Sequence, residues 1–281
     1  MLNQALSGIG VGLRGRHVPT ILDQRPDIAW FELLTDNHLA AGGALRFQAE
    51  AIAAQYPVAL HGVNMNIAGF DPIDINYIDS VKALANRFGT KQISDHLAVT
   101  AVNGQRANDL LVFPRTEAAL QHIVNRVVQI QERLQQAIII ENASAYIEFT
   151  ESEISEMDFL SLLAKQSGCG ILLDVNNVYV SAHNLQQNPI AMLDELDWQY
   201  VQEMHLAGHT ESGSLLIDTH IGTVAPEVLE LYAYCVQRIP NVPTLFEWDK
   251  ALPEWQVILH EAQRLRRYHQ QVIKNAAALS A

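Results

Sequence analysis

The sequence predicts an α/β fold, a single (β/α)8 TIM barrel. Three observations carry that prediction. Eight short apolar runs recur along the chain, most of them followed by a stretch of helical period. The length, 281 residues, suits one barrel. No low-complexity segment or Pro/Gly/Ser-rich linker divides residues 1–281, so they are read as one domain. A doubly wound open sheet is the competing arrangement, but it does not ordinarily place functional residues on so many strands.

Taken in order, strands are expected at residues 8–13, 28–34, 58–63, 92–99, 137–142, 170–175, 201–207 and 244–248. Most are continuous apolar runs, as parallel strands covered on both faces must be. Helices are expected at 45–55, 75–87, 117–135, 154–166, 226–238 and 254–275. Thr116, after Pro114, reads as a helix N-cap, and Gly89 as a C-cap. The helical pattern is weaker after Gly15 and around 188–196. Gly8, Gly10, Gly12 and Gly15 lack the dinucleotide spacing and no P-loop lysine follows them, so they read as tight packing at the first strand.

Composition narrows the function classes. Hydrophobic residues make up 49% and charged residues 17%, enough for a large core and incompatible with wholesale disorder. A net charge of −13 disfavours wrapping a nucleic-acid duplex, which draws on clustered cations. Cys169 and Cys235 cannot build a disulfide framework and read as core residues. No apolar run reaches the roughly 18 residues of a membrane span. Met1–Gln4 lacks the basic start of a secretory signal, so a cytoplasmic protein without membrane partners is expected.

The chemistry sits where the strands end. His61 follows Leu60, His96 follows Ser94-Asp95, and Glu141-Asn142 follows three isoleucines. Asp174 closes the sixth run, His205 follows Met204, and Glu247 follows Phe246. Asp218-Thr219-His220 lies between the last two strands. In a barrel these ends face one mouth, so all of them converge. Imidazoles with carboxylates suit Fe(II), Zn or Mn. His61, His96, Glu141, Asp174, Asn177, His205, Asp218, His220 and Glu247 exceed what one ion can use, and bridging carboxylates would let them hold two or three. Unpaired, the four carboxylates would repel one another, which bound cations remove.

Taken singly, each residue has a plainer reading. Asp174 could cap a turn, and Asn176 and Asn177 could form one. Glu141 and Glu247 could pair with basic residues, and Asp218 and His220 could lie on a loop surface. Only the joint arrangement argues for metal. Glu32, Asn37, Asn64 and Asn142 also fall at or after strand ends, where they could orient substrate, support the ligands or form turns. Asp95 could orient His96 or a neighbour. His183 and His209 lie near the mouth with solvent exposure expected, and Trp248 and Asp249 could line the cavity. No G-x-S-x-G elbow or H-E-x-x-H motif is present.

The segments Ser94-Asp95-His96-Leu97, Asp174-Val175-Asn176-Asn177, Met204-His205-Leu206-Ala207-Gly208, Asp218-Thr219-His220 and Phe246-Glu247-Trp248-Asp249 together resemble the multinuclear non-haem iron-dependent oxidative enzymes. This methanobactin-biosynthesis-oxidase-like family, long catalogued as uncharacterised, consists of xylose-isomerase-like TIM barrels. The same order of residues is similar to the wider xylose-isomerase-like superfamily, including trinuclear zinc endonucleases. Those have His where this chain has Asn177, and the Asp-x-x-Asn form from Asp174 is similar to the iron family instead. The resemblance implies one iron on His61, His96 and Glu141. It implies a second on Glu141, Asp174, His205 and Glu247, and a third, partly occupied, on Asn177, Asp218 and His220. It further implies a mixed-valent iron pair, O2 as co-substrate, and Glu141, His96 and Asp174 as catalytic residues. The substrate would be a cysteine of a ribosomally synthesised precursor peptide, presented with the help of a small partner protein. The product would be a thiooxazole-type heterocycle or a carbon-excised thiol. Two alternatives stand beside this oxidoreductase reading: a metal-dependent hydrolase or sugar isomerase using Zn, Mn or Mg, and a metal-binding accessory protein without turnover.

Overall fold

Buried aliphatic runs alternate with amphipathic helices from one end of the chain to the other, and the eight longest-range pairings among the runs close a ring. The computed structural model describes residues 6–40 and 42–279. The reading of Met1–Gln4 lies outside the described residues. Strand β1 (Ile9–Gly12) is followed by helix α1 (Val18–Gln24), β2 (Phe31–Leu34) by α2 (Ala44–Ala53), and β3 (Val58–His61) by α3 (Ile75–Phe88). After β4 (Ile93–His96) come a hairpin, β5 (Val99–Val102) and β6 (Gln105–Leu111), and helix α4 (Glu117–Leu134). Then follow β7 (Ile139–Glu141), α5 (Glu156–Ser167), β8 (Gly170–Asp174), α6 (Val175–Asn184), α7 (Pro189–Asp194) and β9 (Val201–Ala207). A second hairpin, β10 (Thr210–Ser212) and β11 (Leu215–Ile217), precedes α8 (Pro226–Arg238), β12 (Thr244–Glu247) and α9 (Trp255–Leu279).

The barrel order is β1-β12-β9-β8-β7-β4-β3-β2, closed, and every pairing in it is parallel. All eight expected strands are present, and the predicted fold class holds. Helix ends follow local chemistry. Thr116 accepts the Ala119 amide, and Gly89 ends α3 at φ 69°. The weak helical pattern at 188–196 condenses into the short α7, capped by Asn188 on the Ile190 and Ala191 amides.

Three expectations need correction. The run at 92–99 does not continue as one strand. β4 ends at His96 and Val99 starts β5, which turns back through Asn103 and Gly104 at φ 53° and 74°. Asn-Gly is the hairpin signal. The β10–β11 hairpin, turning at Gly213 (φ 64°), was also not expected. The run at 170–175 stops one residue early, because Val175 opens α6. Asp174 caps that helix by accepting the Asn177 amide at 2.7 Å, so Asn176 and Asn177 are helical rather than turn residues. The valines and asparagines of α6 are weak helix formers, which hid it.

Gly10 explains the glycine-rich start. A Cβ there would lie 2.3 Å from Trp30 Cε2, and Trp30 is fully buried. Gly10→Ala should therefore cost about 1–3 kcal/mol, the range for overpacking a core. Chemical denaturation checks this, and an unchanged midpoint would remove the packing explanation. Both cysteines are free and buried, and burial pushes their thiols up, to about 11 for Cys169 and about 12 for Cys235. Among the described residues no helix is long and apolar enough to cross a membrane.

Candidate metal centre

Parallel register aligns the strand ends. His96 lies beside Glu141 and Asp174 beside His205 as ladder partners. His61 and His96 both direct Nε2 at Glu141 Oε2, each at 3.2 Å, and the two Nε2 atoms are 3.3 Å apart. Their other nitrogens are engaged. The Ser94 hydroxyl donates to Leu60 O and its oxygen takes the His61 Nδ1 proton at 2.8 Å. His96 Nδ1 donates to Gly62 O at 3.1 Å. Both rings thus offer a bare Nε2 to the same point, the arrangement of a metal-ligating imidazole fixed by an outer hydrogen bond.

Glu141 Oε1 continues toward His205 Nδ1, 3.8 Å away, and Glu247 Oε2 lies 3.3 Å from that nitrogen. Glu141, Asp174 and His205 bring one ligand atom each to within 4.8 Å of one another. Asp174, His220 and Glu247 form a further such group, with His220 Nδ1 3.2 Å from Glu247 Oε2. Asp218 Oδ1 lies 2.9 Å from His220 Nε2. Asn177 enters through Asp174, its Oδ1 buried without a hydrogen bond. All nine predicted residues surround one region. His205 is the exception to the strand-end pattern, since it sits inside β9 rather than at its tip.

The buried polar atoms left over are concentrated here. Glu141 Oε2, Asp174 Oδ2, Asn177 Oδ1 and both ring nitrogens of His205 and His220 have no hydrogen-bond partner. Such atoms are rare in a folded interior and ask for a missing partner. Burial raises Glu141 well above the carboxylate range and Asp174 to about 6. Burial would also lower His205 and His220, but surrounding carboxylates outweigh it and raise both well above their ordinary value. Burial acts on Glu247 in the upward direction, yet His220 and His205 pull it well below the usual range. Burial lowers His96 to about 4, and lowers His61 strongly. Without a cation, burial favours the proton-bound forms of Glu141 and Asp174, and the surrounding carboxylates favour charged His205 and His220. A divalent ion would stand in for those protons while using the orphaned atoms.

Neighbouring residues hold this geometry. Asn142 Oδ1 accepts the Asp174 amide and its Nδ2 donates to Asp174 O, fixing that residue from both sides. Asn176 donates to Asp218 Oδ1 and its own Oδ1 meets His209 Nδ1, so His209 is half-buried rather than free in solvent. Asn184, at the end of α6, exchanges two hydrogen bonds with the backbone of Leu216. Asp95 does not touch the His96 ring; it accepts the His96 and Met65 amides. Asn64 latches onto Asp36, and Asn37 and Asp249 line the cavity. Trp248 instead donates to Lys250 O, and exposed His183 contacts Ser214 O.

The centre opens into a cavity of about 630 Å³. Its floor includes His61, His96, Asn177, His220 and Glu247, and its walls include Leu110, Leu111, Tyr146 and Ile147. Arg14 reaches in from the end of β1 and pairs with Glu247 Oε1 at 3.3 Å and with Asp249. Sequence reasoning missed Ser94 as the partner of His61 and Glu203 beneath His205. The signal for the second was present, a carboxylate in the middle of an otherwise buried strand.

Comparison with known proteins identifies the family and the fold. The RiPP precursor modification enzyme MbnB/TglH/ChrH model matches residues 8–270. A UPF0276 protein of Acaryochloris marina is 42% identical, covering 94% of this chain and 95% of its own length. One from an Anaeromyxobacter species is 40% identical, covering 92% of each. Among solved structures, an L-ribulose 3-epimerase superposes with a TM-score of 0.67 at 12% identity, over 97% of this chain and 98% of that one. Endonuclease IV from Thermus thermophilus gives 0.64 at 12%, over 94% and 99%. These two share the closed (β/α)8 barrel, and at such identity they speak to fold alone. The chain belongs to the MbnB/TglH/ChrH family of enzymes that modify ribosomally synthesised precursor peptides, a family formerly catalogued as uncharacterised.

Proposed function

We propose that this enzyme holds two or three irons and uses O2 to modify a cysteine of its precursor peptide oxidatively. The observation that carries the reading is the set of orphaned ligand atoms converging on the cavity floor. His61, His96 and Glu141 would hold one ion. Glu141, Asp174, His205 and Glu247 would hold a second, and Asp218, His220 and Asn177 a third. Bound iron would supply the redox chemistry with O2 and an open position for a substrate thiolate. The chain supplies the rest. Ser94 and Gly62 fix the two imidazoles, Arg14 engages one oxygen of Glu247, and Glu141, His96 and Asp174 would act by holding the ions at which the cysteine reacts. The apolar side chains of Leu110, Leu111, Tyr146 and Ile147, partly exposed at the mouth, offer the peptide a contact surface. In this reading a small partner protein would present the peptide at the mouth, and the enzyme would work in the cytoplasm where the peptide is made.

Elemental analysis of protein purified without oxygen from iron-supplemented cells tests the reading. Two or three irons per chain, with O2 uptake and a mass change in a cysteine-containing precursor peptide, are the expected result. Stoichiometric zinc with no iron would replace it with the hydrolase or isomerase reading. Absence of bound metal would overturn it.

A further inference from the structure

Below the metal-binding floor the barrel interior contains further polar groups: Glu203, outside every candidate ion-holding group among the described residues, and Glu32, which also forms such a group with His205 and Glu247. Such interiors are ordinarily filled by branched apolar side chains. Here Glu203 and His205 lie two apart on β9, on the same face, and each is 0% exposed. Glu203 Oε1 is 3.4 Å from His205 Nε2. Glu32 Oε2, from β2, is 3.3 Å from the same nitrogen. Gln92 Nε2 donates to Glu203 Oε2 at 2.8 Å, so the glutamate is itself held in place. The other ring nitrogen, Nδ1, looks the opposite way, toward Glu247 Oε2 and Glu141 Oε1. One ring therefore separates two sets of carboxylates.

The chemistry of the lower set decides which nitrogen is free. Glu203 Oε1 and Glu32 Oε2 are buried acceptors with no hydrogen bond. A buried carboxylate oxygen without a donor is unfavourable, and His205 Nε2, 3.3–3.4 Å from both oxygens and itself without a partner, is the donor within reach once it carries the ring proton. A proton on Nε2 leaves the Nδ1 lone pair for a cation. A cation on Nε2 would take that donor from both glutamates and would aim Nδ1 away from them. His61 and His96 use Nε2 toward the floor, with Nδ1 engaged behind, so His205 reverses their arrangement.

We propose that His205 meets its metal through Nδ1, and that Glu203, braced by Gln92 and assisted by Glu32, fixes this orientation by accepting the Nε2 proton. Glu203 is then a positioning residue that never touches the ion or the peptide. The inference rests on the metal-centre reading above. It adds to that reading a buried column, Gln92–Glu203–His205, running from the barrel interior to the ion. A carboxylate behind a ligating imidazole makes the ring a stronger donor and locks its tautomer.

The test uses the full chain stripped of metal and titrated with Zn2+, which is diamagnetic and allows the ring proton to be seen. Histidine-selective ¹⁵N NMR of the loaded protein, with His205→Gln to assign the signal, is expected to show His205 protonated at Nε2 and metal-shifted at Nδ1. Competition against a chelator should show about 10–100-fold weaker Zn2+ binding in Glu203→Gln, the usual cost of an outer-shell partner. Gln92→Ala should show a smaller loss. A proton on Nδ1 in the loaded wild type would overturn the inference while leaving the metal centre standing. So would undiminished affinity in folded Glu203→Gln. If that variant fails to fold, the wild-type ring proton decides alone. A wild type that binds no Zn2+ and no iron overturns the metal centre and this inference together.

Discussion

Glu141→Ala should remove metal from two neighbouring positions at once and abolish peptide modification. Its Oε2 sits 3.2 Å from both His61 and His96, and its Oε1 faces His205. Among the described residues no other side chain bridges these two groups of imidazoles. The loss in affinity should exceed the roughly 100-fold upper range for an outer-shell partner, because a ligand itself is missing. Stability should move the other way. Glu141 is 1% exposed and Oε2 lacks a hydrogen bond, so in metal-free protein the carboxylate is a liability. Stripped Glu141→Ala should thus melt no lower than stripped wild type, whereas added iron should raise the melting temperature of wild type only. Full iron content and turnover in the variant would sink the assignment of the site.

Removal of metal should also make stability depend on pH in a defined direction. In the stripped protein burial holds Glu141 above the carboxylate range and neighbouring carboxylates hold His205 and His220 above the ordinary imidazole value, so each binds its proton more tightly than in the unfolded chain, which releases its own by pH 6.5 to 8. The folded state then binds more protons than the unfolded one, and stability falls as pH rises. Each such proton contributes about 1.4 kcal/mol per pH unit across its window. Below pH 6.5 the trend weakens. Asp174, raised to about 6 by burial, loses stability with rising pH there, while His96, lowered to about 4 by burial, gains it. Metal displaces the site's protons. The melting-temperature gap between loaded and stripped protein should therefore widen from pH 6.5 to 8. A gap that stays constant would show that the cluster does not exchange protons for metal.

Much of this was legible in the sequence because barrel strands are short, apolar and end in a common place. His61 and Glu141 each close an aliphatic run, and His96 and Glu247 each close a short buried strand, so reading the ends of the runs brought these four together. What stayed hidden depends on long-range contact. Glu203 reads as one polar residue in a strand until Gln92 and His205 are brought beside it. Ser94 reads as a neighbour of His96, yet its hydroxyl serves His61 across the β3–β4 ladder. α6 is hidden because its valines favour strand and its asparagines favour turns, and the cap that overrides both is the same Asp174 that belongs to the candidate metal centre.

α6 ties the floor of the site to its rim. It starts at Asp174, holds Asp218 through Asn176, and at its far end Asn184 clamps Leu216 just before Asp218. The chain there forms a triangulated frame, so the loop carrying His220 is braced as firmly as a strand. Across the mouth the bracing is different. Pairing between β5 and β6 skips from Val99–Leu111 to Ala101–Arg106, and residues 107–110 bulge outward. The two halves of the entrance are therefore braced differently, one by a helix that ties floor to rim and the other by a hairpin whose ladder is interrupted.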